Sequence, residues 1–120
     1  MQRCEHLVTT ARRLLLDALQ PLVLSETLNL DGCYLQLRFR DGSRLFVTYN
    51  NHHEYSYQYL YSRHEYDRER FDNYDREWPV PSRPHHFHVR GRPDVLESPM
   101  TGDPQQDMLR LVDFLKKRLQ

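Results

Sequence analysis

Cys33-Tyr34-Leu35-Gln36-Leu37-Arg38-Phe39-Arg40, then Asp41-Gly42-Ser43, then Arg44-Leu45-Phe46-Val47-Thr48-Tyr49 carries the clearest pattern in the chain. Cys33, Leu35, Leu37 and Phe39 alternate with Tyr34, Gln36, Arg38 and Arg40, and Leu45, Val47 and Tyr49 continue the alternation. Side chains on a strand point to opposite faces in turn, so the pattern describes two half-buried strands with a clear inside and outside. The Asp-Gly-Ser break is a hairpin turn and makes the pair antiparallel.

The period of two extends outward from this hairpin. Leu22, Leu24, Thr27 and Leu28 predict a preceding strand, closed by the turn signal Asp31-Gly32. Downstream, Asn50-Asn51-His52-His53 breaks the pattern, and then Tyr55, Tyr57, Tyr59 and Tyr61 recur at every second position. On a strand all four rings share one face. Two readings follow: an aromatic inner face packed on a helix, which the weight of the argument favours, or a surface on which nucleobases stack. After a turn at Ser62-Arg63-His64, a strand over Glu65 to Asn73 sets Tyr66, Arg68, Arg70 and Asp72 on one side. Asp67, Glu69 and Phe71 take the other side, and these charges read as exposed, salt-paired groups. Asn73 to Arg83 is a loop kept extended by Pro79, Pro81 and Pro84, with the single tryptophan, Trp78, anchoring it on the body. Pro84 to Arg90 is a short extended segment, and Asp94 to Pro99 a last edge strand.

Helices bracket these strands. Leu7, Ala11, Leu14, Leu15, Ala18 and Leu19 have helical spacing, so a helix runs over about residues 3 to 19 and stops at Pro21. Met108, Leu111, Val112, Leu115 and Leu119 form a second stripe, introduced by Asp103 as N-cap, Pro104 at the first helical position and Gln106 placed for a capping box. The order excludes βαβ alternation. The expected fold is α+β in two layers: an N-terminal helix, a curved antiparallel meander of four to six strands, and a C-terminal helix, both helices on one face. With 120 residues, a single domain over 1–120 is expected.

Formal net charge is zero with histidine neutral, which excludes steering of nucleic acid by bulk charge but leaves room for a local basic patch. Eight tyrosines and five phenylalanines argue against disorder. Cys4 and Cys33 belong to no Cys-x-x-Cys motif; one disulfide is arithmetically possible, but two reduced core thiols are expected in a chain without a secretion signal. No apolar run spans a bilayer, and a cytoplasmic protein without membrane partners is expected.

Chemistry concentrates in Arg70-Phe71-Asp72-Asn73 and Pro84-His85-His86-Phe87-His88. His86 and His88 face one side of an extended segment and His85 the other. One imidazole can take a proton from a ribose 2'-hydroxyl and a second can give one to the leaving 5'-oxygen. An arginine can stabilise charge on the phosphorane oxygens, and an aspartate can orient a histidine. Two rival readings stand beside this one. His-x-His with Asp72 is also a partial metal-ligand set, to which His52, His53, Glu54 and His64 add ligand types without closing a specific motif. A histidine- and proline-rich loop can also be hydrogen-bonded surface.

These residues, together with Glu97-Ser98 and the C-terminal helix, resemble the TumE family of small toxins over roughly residues 33 to 118. Tyr55-Ser56-Tyr57 resembles that family's tyrosine-bearing strand. The resemblance implies a toxin that sits beside a DNA-binding antitoxin, with RNA cleavage as the activity. Where the family tends to place a first histidine pair, this chain has Tyr74-Asp75-Arg76-Glu77. The reading taken forward is a metal-independent endoribonuclease toxin without cofactor, acting on RNA and paired with an antitoxin. His86 and His88 are its acid and base, with Arg70 and Asp72 beside them, and Asn73, His85, Arg68 and Tyr66 contact substrate. A homodimer through the exposed edge near Asp94 to Ser98 is compatible with it. The rivals are a non-catalytic RNA- or protein-binding module and a purely structural partner role.

Overall fold

The computed structural model describes residues 1–119. Helix α1 spans Arg3–Leu19 and is followed by one 3₁₀ turn, Gln20–Leu22, built around Pro21. Seven strands follow in chain order: β1 Val23–Asn29, β2 Tyr34–Phe39, β3 Arg44–Tyr49, β4 Tyr55–Leu60, β5 Arg68–Asp72, β6 His86–His88 and β7 Val95–Glu97. Helix α2, Pro104–Lys116, closes the chain. Each strand pairs antiparallel with the next, so the sheet is an open meander in the order β1 to β7. The expected α+β architecture holds, with one strand more than the four to six anticipated, because the two three-residue segments β6 and β7 both join the ladder.

The register fixes which side chains share a face. Leu35, Leu37, Leu45, Val47, Tyr57 and Tyr59 all face α1 and α2 and are buried. Cys4, Val8, Ala11, Leu15 and Leu19 meet them from α1, and Met108, Leu111 and Leu115 from α2. Truncating one of these leucines to alanine would cost roughly 2–5 kcal/mol. The tyrosine ladder is therefore core: Tyr55, Tyr57 and Tyr59 are at most 2% exposed, and the base-stacking alternative fails for all three. Their hydroxyls reach partners inside. Tyr57 O–H donates to Asp107 Oδ2 at 2.7 Å, which leaves its oxygen to accept from Tyr49 O–H at 2.9 Å. Tyr59 O–H donates to Ser43 Oγ. Burial holds the Tyr49 and Tyr57 phenols far above their ordinary pKa.

Asp107 is fully buried in the first turn of α2. It accepts from Tyr57, from the Thr101 and Gly102 backbone N–H groups at 2.8 and 2.7 Å, and from Thr101 Oγ1. The carboxylate thereby ties β4, the 99–103 connection and α2 together. Asp103 caps α2 as expected, accepting from Gln105 N–H.

Three details differ from expectation. Cys4 and Cys33 form a disulfide instead of two reduced thiols, because the turn after β1 brings Cys33 under the first turn of α1 with the Cα atoms 5.8 Å apart. Strand β5 starts at Arg68, not Glu65, since Asp67 is engaged in the preceding turn, where it accepts from Ser62 Oγ and its N–H donates to His64. Glu69, expected at the surface, is buried: Arg118 from beyond α2 folds over it with contacts of 2.6 and 3.0 Å, and Tyr61 O–H donates to it. Among the described residues no helix is long and apolar enough to cross a membrane.

Candidate active site

The face of the sheet away from the helices carries the polar rows. Antiparallel pairing sets Arg70 opposite His88 and Asp72 opposite His86. Residues directly opposite each other in an antiparallel pair share a face. The loop after β5 then returns over this corner, and the Trp78 ring lies 6.0 Å from that of His86 and 6.1 Å from that of His88. Asp72 and His86 are each 1% exposed, whereas the side chains of Arg70 and His88 remain 29% and 24% exposed.

Hydrogen-bond bookkeeping distinguishes the two histidines. His86 Nδ1 is 2.9 Å from the Pro84 carbonyl, which can only accept, so Nδ1 carries a proton. His86 Nε2 lies 2.7 Å from Asp72 Oδ1, which also accepts from Tyr74 N–H at 3.2 Å. At that distance one proton lies between Nε2 and the carboxyl, so His86 and Asp72 form a buried pair. His88 differs. Its Nε2 is 3.1 Å from Arg70 Nη2, a group that only donates, so His88 Nε2 offers a lone pair and its proton sits on Nδ1. Arg70 Nε stands 2.5 Å from Asp72 Oδ2 in ion-pair contact, but the approach is misaligned for a hydrogen bond, and both buried atoms lack one. His88 Nε2 is 3.4 Å from the same oxygen. The corner thus joins a buried histidine–aspartate pair, a half-exposed arginine and a half-exposed imidazole.

The four residues expected to be catalytic come together in this cluster. The four expected to contact substrate do not join it. Asn73 is buried and uses its carboxamide to accept from Tyr55 N–H and donate to the His53 carbonyl, which ties the ends of β4 and β5. His85 turns to the helix side, stacked 5.8 Å from Tyr55 with Nδ1 3.0 Å from its hydroxyl. Burial lowers the His85 pKa, opposed by the Asp107 carboxylate. Tyr66 is an exposed residue of the β4–β5 turn. Arg68 shares the open face and reaches Gln58 Oε1. Trp78 and Tyr74 touch the cluster although the sequence marked neither for it. The signal for Trp78 was its place in the loop joining the two halves of the motif.

Among the described residues, Asp72, His86 and His88 are the one group whose ligand atoms, all within 4.8 Å of one another, can hold a metal ion. His52, His53, Glu54 and His64 do not join it. A cation there would compete with the Arg70 guanidinium already against Asp72 Oδ2 and His88 Nε2. The donor set therefore fits proton chemistry better than metal binding.

Comparison with protein families matches the one described as Toxin TumE over residues 11–119. No curated protein and no solved structure gives a significant match.

Proposed function

The chain belongs to the TumE toxin family, and from that premise we propose that this toxin-like protein is a metal-independent endoribonuclease held in check by a cognate antitoxin. The observation that carries the reading is the half-exposed His88 Nε2 lone pair, 3.1 Å from the Arg70 guanidinium at the mouth of the cluster. A phosphodiester arriving there draws Arg70 onto its non-bridging oxygens and frees His88 Nε2. The imidazole then takes the 2'-hydroxyl proton as the 2'-oxygen bonds to phosphorus. Arg70 stabilises the charge that grows on the phosphorane oxygens. The bond to the 5'-oxygen breaks, that oxygen takes its proton from water, and a 2',3'-cyclic phosphate remains.

His86 and Asp72 have a different part in this scheme. Both nitrogens of His86 are engaged and its ring is buried, so it acts as a positioning residue. Its ring holds Asp72, and Asp72 in turn holds Arg70 beside His88. The expected pairing of His86 and His88 as interchangeable acid and base is thereby narrowed to one proton-handling histidine.

The test is turnover of end-labelled RNA by purified wild type and His88→Ala in the presence of a chelator. Wild type should release products ending in 2',3'-cyclic phosphate, and a substrate with a single 2'-deoxy position should resist at that position. His88→Ala should lose at least about a hundredfold in rate. Intact RNA with folded wild type would overturn nuclease activity. Cleavage that chelation abolishes and added metal restores would move the chemistry to the Asp72–His86–His88 ligand set. A second reading, RNA binding without turnover, draws on Tyr74-Asp75-Arg76-Glu77 standing where the resemblance calls for a histidine pair. Retention of RNA with no product would select it.

A further inference from the structure

The strand register lays out the rest of the helix-free face. One row across the sheet reads Arg38, Arg44, Leu60, Arg68, each opposite the next. The neighbouring row runs Phe46, Gln58, Arg70, His88 and ends in the cluster. Tyr34 lies diagonally across from Phe46, and the two rings stack with centroids 5.2 Å apart and planes 16° from parallel. Both rings are half-exposed. They lie on the opposite face from the buried tyrosine ladder, so core packing does not account for them.

Charge on this face is one-sided. Several arginines elsewhere have carboxylates: Arg12 meets Glu26, Arg90 meets Asp67, and Arg118 meets Glu69, whereas Arg3, Arg13, Arg40, Arg76 and Arg83 are scattered and in no ion pair among the described residues. Among the described residues, Arg38, Arg44, Arg63 and Arg68 make no ion pair. Arg38, Arg44 and Arg63 line one hollow with Gln36, Gly42 and Ser62, and no acidic side chain is among its walls. The carboxylates in the rows of this face are Asp72, engaged with His86 and Arg70, and Glu97 on the last strand. Four arginines without a carboxylate partner therefore lie close together on this face, three of them around one hollow.

We propose that the helix-free face of the sheet is a binding surface for single-stranded RNA. Arg38, Arg44, Arg63 and Arg68 hold backbone phosphates, and the Tyr34–Phe46 stack receives an unpaired base. Three strand spacings, about 14 Å, separate Phe46 from His88, so a few nucleotides connect the aromatic platform to the cluster. Aromatic rings beside a cationic track bind single strands with little sequence preference, because every base has a face to stack. A duplex cannot offer its bases to such a platform. The proposal rests on the nuclease reading for the choice of RNA over other polyanions, and its test does not depend on cleavage.

The probe is a fluorescein-labelled single-stranded oligonucleotide with 2'-O-methyl groups throughout. It has no attacking hydroxyl, so binding is read whether or not the protein cleaves. Anisotropy is followed over a salt series for wild type, for the Arg38→Gln/Arg44→Gln variant and for Phe46→Leu. Losing two phosphate contacts should weaken binding at least tenfold at low salt and flatten the slope of log affinity against log salt by about 1.4. Phe46→Leu should weaken binding roughly tenfold and leave that slope unchanged. Should the double variant fail to fold, Arg63→Gln in the exposed β4–β5 turn probes the same hollow, with a slope change of about 0.7. Absence of binding by folded wild type, equal affinity for wild type and variants, or preference for the matching duplex would overturn the proposal. Binding through this face by a protein that leaves ordinary RNA intact sinks the nuclease reading alone. Cleavage by variants of unaltered affinity sinks the surface alone. Loss of antitoxin capture with RNA affinity unchanged would assign the face to a protein partner instead.

Discussion

Replacing His86 and His88 separately by alanine should give opposite phenotypes, although the two lie two residues apart on one strand. His86 is 1% exposed and connects Asp72, at 2.7 Å, to the Pro84 carbonyl, at 2.9 Å. His86→Ala leaves the buried Asp72 carboxyl without its partner and a carbonyl without its donor. Breaking one side of a buried pair costs about 3–5 kcal/mol. For a domain of this size that is a fall in Tm on the order of 15 °C. His88 is 24% exposed and shares one hydrogen bond with Arg70, so His88→Ala should cost about 1 kcal/mol. If the nuclease reading holds, its rate of RNA cleavage should fall by about two to four powers of ten. Urea titration and thermal melting read the first effect, and turnover of labelled RNA below each variant's transition reads the second. A His86→Ala protein melting within a few degrees of wild type would refute the structural weight given to the His86–Asp72 pair. A His88→Ala protein cleaving at the wild-type rate would refute the role of its lone pair.

Asp107→Ala leaves the Tyr57 hydroxyl and the Thr101 and Gly102 N–H groups without their acceptor, and should destabilise by roughly 3–5 kcal/mol in urea; a loss under 1 kcal/mol would show that these donors find water. Reducing the Cys4–Cys33 bond opens a link of sequence separation 29 and should lower stability by about 3.5 kcal/mol, measured as urea midpoints with and without reductant. An unchanged midpoint would mean that α1 holds to the sheet without it. Burial lowers the His85 pKa, so below the ordinary histidine value the unfolded chain binds a proton that the folded one does not. Stability should therefore fall as pH drops through about 6.5 and below, and His85→Gln should flatten that slope. An identical slope in the variant would place the pH dependence in another group.

The sheet was legible because its alternation is regular: each of β2, β3 and β4 buries every second side chain. Alternation assigns a side, however, and not what covers that side. Glu69 shares a face with Phe71, yet its burial depends on Arg118, 49 residues away, folding back from beyond α2. Asp107 reads locally as an acidic residue in a helix's first turn, and only the tertiary fold brings Tyr57 and the 99–103 connection onto it. Cys4 and Cys33 are 29 residues apart, and proximity of that kind is not written in spacing. The seventh strand was undercounted because three-residue segments carry too few alternations to declare themselves.

The same limit explains why the sequence gives His86 and His88 one joint role and the structure supports two. Equal spacing puts both on one face, but the register sets His86 opposite Asp72, beneath the Trp78 loop, and His88 opposite Arg70, nearer solvent. Depth, which periodicity does not encode, decides which imidazole is open to solvent. It also bears on Tyr74-Asp75-Arg76-Glu77, the departure from the family pattern. All four residues are exposed in the loop that leads to Trp78. Their contact with the cluster is the Tyr74 backbone N–H on Asp72 Oδ1, a bond available to any residue except proline. The contacts among Arg70, Asp72, His86 and His88 therefore stand without a histidine pair at 74–77. If the nuclease reading holds, placing histidines there should alter how substrate is gripped at the rim and leave the dependence on His88 unchanged, which a rate comparison of such a variant with and without His88→Ala would measure.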